Sequence, residues 1–114
     1  MAFGTRIRSE AVREAAFGAI GANYLALGSA LTHRARIVSY YNSTDVDLYF
    51  TTDVSKNEKR VAAGSGQVFD YTANKVRDDG AFLEEGTVIS VKRVAGAPST
   101  GATWVQVEYC DGGI

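Results

Sequence analysis

Asn42-Ser43-Thr44-Asp45-Val46-Asp47-Leu48-Tyr49-Phe50-Thr51-Thr52-Asp53 decides the fold class. It reads as the end of one strand, a polar turn, and a strand with period-two alternation. Val46, Leu48 and Phe50 point one way; Asp47, Tyr49 and Thr51 point the other. That is the signature of a strand with one dry and one wet face.

Working outward, the chain repeats this grammar. Upstream, Arg36 to Tyr41 is predicted as a strand, and Asn23 to Leu27 as a shorter one in which Leu25 and Leu27 share a face. Ala16 to Ile20 is predicted extended as well, separate from Asn23 to Leu27 or interrupted near Gly21. Downstream, Asp53 to Lys59 is a polar tip with only Val54 to bury. Strands are predicted at Lys59 to Ala63, Gln67 to Tyr71, Thr87 to Val94 and Trp104 to Tyr109. Ile89 and Val91 share one face of their strand, Ser90 and Lys92 the other. Val105, Val107 and Tyr109 alternate against Trp104, Gln106 and Glu108. Asn74 to Gly80 is a charged turn, and Ala95 to Gly101 a loop carrying the only proline. Short β-type runs broken every 8–12 residues or so predict an all-β sandwich or barrel. No segment is a helix long enough for a βαβ crossover. The economical architecture is therefore one domain of two antiparallel sheets, jelly-roll or immunoglobulin-like.

Length and composition agree. At 114 residues one domain is expected, with 46% hydrophobic and 22% charged residues, enough for a core without metal or disulfide support. The expected division is an arm over 1–14, the sandwich over 15–110 and a tail over 111–114. Ser9 to Ala16 suits an extended arm or strand, or a short helix with Ser9 as its N-cap. Arg6, Arg8 and Arg13 make this segment basic: a solvated tail, or an arm that docks on an acidic neighbour.

Function classes narrow by subtraction. A net charge of −1 gives no global field for nucleic acid. No apolar run approaches the roughly 18 residues of a membrane span. Met1-Ala2-Phe3-Gly4 leads into charge rather than an apolar stretch, so a cytosolic origin is expected, and the sequon Asn42-Ser43-Thr44 is read as a turn. The single cysteine, Cys110, has no internal disulfide partner. His33 is the only histidine; it stands beside Arg34 with no carboxylate or cysteine near it in sequence, and is read as a surface residue. No nucleophile elbow accompanies it. One His and one Cys do not make a zinc site. Asp45, Asp47, Asp53, Asp78 and Asp79 lack the calcium-loop pattern. Glu84 and Glu85 are adjacent in a turn, and Gly64-Ser65-Gly66 lacks the lysine and helix of a phosphate loop. No enzyme activity, metal or cofactor is expected.

What remains is aromatic surface. Tyr40, Tyr49 and Trp104 are candidates to point outward. On a small domain such residues suit a protein interface, or a stacking platform for carbohydrate. Arg6, Arg8, Arg13, Tyr40, Tyr49 and Trp104 are thus the candidate contact residues.

The order of segments resembles small structural proteins of tailed bacteriophages. The resemblance is carried by Ala35 to Phe50, Val61-Ala62-Ala63-Gly64-Ser65, Val68 to Lys75, Gly80 to Lys92, and Pro98 to Gly101 before Trp104 to Tyr109. It covers most of residues 17–110. One departure is that Asp53 to Asn57 has no glycine where such hairpin tips often carry Asp-Gly. The resemblance implies a non-enzymatic β-sandwich present in many copies. It would sit at the head–tail connection or tail, or on the capsid as a decoration or cement protein. It further implies phage structural proteins (capsid, portal or neck, tail) and copies of itself as partners, and the virion as location after synthesis in the host cytoplasm.

Overall fold

The computed structural model describes residues 6–70 and 83–111; the expected turn over 74–80 falls outside them. Among these described residues nine strands and one 3-10 turn follow in chain order: β1 Arg6–Ser9, β2 Arg13–Ala16, the turn Phe17–Ala19, β3 Leu25–Ala26, β4 Ile37–Asn42, β5 Leu48–Thr51, β6 Lys59–Val61, β7 Ser65–Asp70, β8 Ser90–Arg93 and β9 Ala102–Asp111. They form two antiparallel sheets. The first runs β1–β9–β4–β7, with β2 also on β9; the second runs β3–β8–β5–β6.

β1 and β2 are one strand with a break in register. Arg6 to Ser9 pair with Asp111 to Glu108, and Arg13 to Ala16 pair with Val105 to Ala102. Glu10, Ala11 and Val12 thus stand against Gln106 and Val107, an insertion of one residue, which is a β-bulge.

With that strand counted once, pairing joins first to last and works inward. β1/β2 pairs with β9, β3 with β8, β4 with β7 and β5 with β6. This long ribbon is rolled so that β9 also pairs with β4, and β8 with β5. Such connectivity is that of a jelly roll, so of the two expected sandwich types the strand order selects this one.

The core lies between the sheets. Val38 and Tyr40 of β4 and Val105 and Val107 of β9 meet Leu48 and Phe50 of β5, all buried. Val46 packs against this cluster from the rim. The alternation read in the opening stretch holds at Leu48, Tyr49 and Phe50. It fails at Thr51, which is buried because the turn closes over it. The Thr51 hydroxyl donates to the Asp53 carbonyl at 2.7 Å and accepts the Asp53 N–H at 3.0 Å.

One other expectation is corrected. Ala16 to Ile20 is not a strand: β2 stops at Ala16 and the chain turns. For Ser9 to Ala16 the structure selects the extended reading over the helix: Arg6–Ser9 and Arg13–Ala16 are strands. They are zipped along β9, and Arg13 is only 7% exposed.

Candidate functional site

The outer face of the first sheet is built by the register of β2, β9, β4 and β7. Glu14 lies opposite Trp104, Trp104 opposite Tyr41, and Tyr41 opposite Gly66. The rings of Trp104 and Tyr41 stack with centroids 5.4 Å apart. A side chain at Gly66 would collide with the Tyr41 ring, so glycine there gives the ring a bed on β7. Val68, one step along, is 62% exposed. Glu108 stands opposite Ile37 in a neighbouring row.

Tyr40, expected outside, is in the core at 1% exposure. Its ring packs on Phe50 at 5.2 Å and Phe69 at 5.6 Å. Adjacent strand residues face apart. Val38 and Tyr40 take the dry side, so the outward tyrosine is Tyr41. The cue in the sequence was Val38 two residues before Tyr40, in step with it.

Tyr49 does lie on an outer face, but that of the second sheet. It is flanked by Arg60 on β6 and Lys92 on β8. The Lys92 ammonium sits 4.7 Å from the Tyr24 ring centroid and 5.9 Å from that of Tyr49, close enough for cation–π attraction. The three expected aromatics thus occupy the core and two opposite faces, and do not form one stacking platform.

Arg13 joins a cluster that spacing could not reveal. Glu10 and Arg13 are an odd number of residues apart and would face opposite ways on a regular strand. The bulge returns both to the same side. The Glu10 carboxylate, 6% exposed, accepts from Arg13 Nη2 at 2.7 Å. It also accepts from the Thr32 N–H and hydroxyl at 3.2 and 3.1 Å and the His33 N–H at 3.0 Å. His33 Nδ1 stands 3.1 Å away. Arg13 Nε and Nη2 donate to the carbonyls of Ser29 and Ala30. The His33 ring lies flat on Tyr109, centroids 3.7 Å apart. His33 therefore does have a carboxylate beside it, one brought by β-pairing from the start of the chain. Burial alone would raise the Glu10 carboxyl; the bonds from Arg13, His33 and Thr32 outweigh it and hold the pKa below the ordinary value. A groove of about 510 Å³ opens alongside, lined in part by Val12, Gly28, His33 and Tyr109. The carboxylate and guanidinium beside it are bonded to each other and to the 29–33 loop, so the cluster clasps the edge strand to that loop.

Three of the aspartates weighed for calcium are taken up in hydrogen bonds, Asp53 within its own turn and Asp45 and Asp47 across the fold. Asp45 accepts from the Ser99 N–H and hydroxyl, Asp47 from Arg60 and the Ala63 N–H, and Asp53 from the Ser55 N–H and hydroxyl. Among the described residues no three His, Cys, Asp or Glu side chains gather as a metal site. Asp78 and Asp79 lie outside the described residues, as do the side chains of Arg6 and Cys110. Arg8 is exposed on β1.

Compared with protein-family models, with curated proteins and with solved structures, the chain matches none.

Proposed function

We propose that the chain is a non-enzymatic building block of a tailed-phage particle. It packs in several copies at the head–tail connection or tail, or covers the capsid as a cement protein. Its partners are then other virion proteins and its own copies, and it reaches the particle from the host cytoplasm. The observation that carries the proposal is the Tyr41–Trp104 stack on the outside of the first sheet, beside exposed Val68. Large aromatic surface on the outer face of a small sandwich suits an interface. The jelly roll is a scaffold used by viral capsid proteins and by lectins alike, and a fold alone is not a function. The order of segments over residues 17–110 favours the viral use. The glycan alternative is weakened by the separation of Tyr40, Tyr49 and Trp104.

The test is the composition of purified tailed particles from a host that carries this reading frame. Quantitative mass spectrometry should find the chain in many copies per particle. Its absence from particles that still infect sinks the proposal.

A further inference from the structure

The two outer faces of the sandwich are not alike in charge. On the first sheet Trp104 and Tyr41 are accompanied by Glu14 and Glu108. Neither carboxylate makes an ion pair or hydrogen bond among the described residues. On the second sheet Tyr49 and Tyr24 are accompanied by Lys92 and Arg60. The acids near that face are engaged: Asp47 holds Arg60 at 2.9 Å, and Glu58 accepts from Thr52 and lies 3.8 Å from Lys59. Among the described residues Lys92 touches only aromatic rings. Among the described residues one face is thus aromatic with uncompensated negative charge, the other aromatic with uncompensated positive charge.

We infer that a second copy of this chain docks front to back, the Trp104–Tyr41 face of one on the Tyr49–Lys92 face of the next. This rests on the proposal that the chain is a repeated building block, and names the surfaces that repeat. Charge selects the geometry. A two-fold pairing of first sheets sets Glu14 and Glu108 against their own copies, and a pairing of second sheets sets Lys92 against Lys92. Like-charge juxtaposition disfavours both. Front-to-back docking sets unlike charge together and leaves each copy one open face, so the contact propagates into a ring or stack. Paired aromatics supply the contact area, and many copies make up for a weak single contact.

The test is sedimentation velocity over a concentration series, with circular dichroism as a check on folding. The variants are K92E and the double variant E14K/E108K, all exposed or half-exposed positions whose exchange leaves the core untouched. Each variant alone should self-associate about ten-fold or more weakly than wild type. An equal mixture of the two should recover association, because the reversed faces match each other and the unreversed faces still match. Wild-type association untouched by either variant, or a mixture no stronger than its parts, overturns front-to-back docking but leaves the building-block proposal standing. A wild-type chain that remains monomeric throughout also overturns it; the building block is then judged by particle composition alone.

Discussion

Asn42 is a polar side chain in a dry place, 1% exposed at the end of β4. Its amide donates to the carbonyls of Val46 at 2.8 Å and Val61 at 3.0 Å, and its oxygen accepts the N–H and hydroxyl of Thr44. This network shapes the crossover from the first sheet to the second and ties it to β6. Asn42→Leu leaves the Val61 carbonyl and Thr44 N–H without these partners. At roughly 1–3 kcal/mol per stranded group, urea unfolding should show a loss of about 3 kcal/mol; a loss under about 1 kcal/mol would deny the network its role. Gly101 is a second fixed point. It has φ +88°, and a Cβ there would fall on the Ser43 carbonyl. Gly101→Ala should cost about 2 kcal/mol or more. Gly96→Ala, in open space at ordinary φ, should be neutral or slightly stabilising in the same urea unfolding. The sequence shows Asn42 and Gly101 as turn residues and no more. Their importance comes from Val61 and Ser43, partners that only the folded chain brings near.

At the scale of elements, the bulge between β1 and β2 is the decisive irregularity. It places Glu10 and Arg13 together and fastens the edge strand to the loop at 29–33. The folded chain holds the Glu10 carboxyl below its ordinary pKa. Its contribution is therefore complete above the unfolded-chain value, about 4.3 for a glutamate. It is lost as pH falls through the folded value. Asp45, Asp47 and Asp53 are lowered in the same direction by their hydrogen bonds to Ser99, Ala63 and Ser55. Urea midpoints should hold near neutrality and drop in acid. Glu10→Gln should lower the midpoint at pH 7, and the gap to wild type should close as the acid limb is crossed. A gap constant with pH would show that the charge on Glu10 does not hold the clasp. Periodicity and β-type composition made most strands legible: β3 to β9 fall within or close to their predicted segments. The first edge strand was legible only as one of two readings, extended or helical, because a bulge erases the period-two signal where it sits, and Glu10, Arg13 and His33 looked like unrelated surface residues.

At the scale of the whole molecule, local pattern fixed the fold class and left the topology open. Alternation tells which side of a strand is dry; it is silent on which strand lies beside which. The jelly roll emerges only from the pairing of β1/β2 with β9 and of β3 with β8, across nearly the full chain. The same silence explains why the expected aromatic trio scattered: Tyr49 and Trp104 belong to different sheets. What survives is a sandwich with an aromatic, acidic front and an aromatic, basic back. Trp104→Ala should leave circular dichroism unchanged, since the ring lies outside the core, and should remove the chain from assembled particles in a pelleting assay. The most direct measurement is an electron-microscopy map of the purified tailed particle. The chain should be found there in repeated copies, with the Trp104–Tyr41 face covered by a neighbouring subunit. A particle without the chain, or one in which that face stands bare to solvent, would contradict the proposed role as a docking building block.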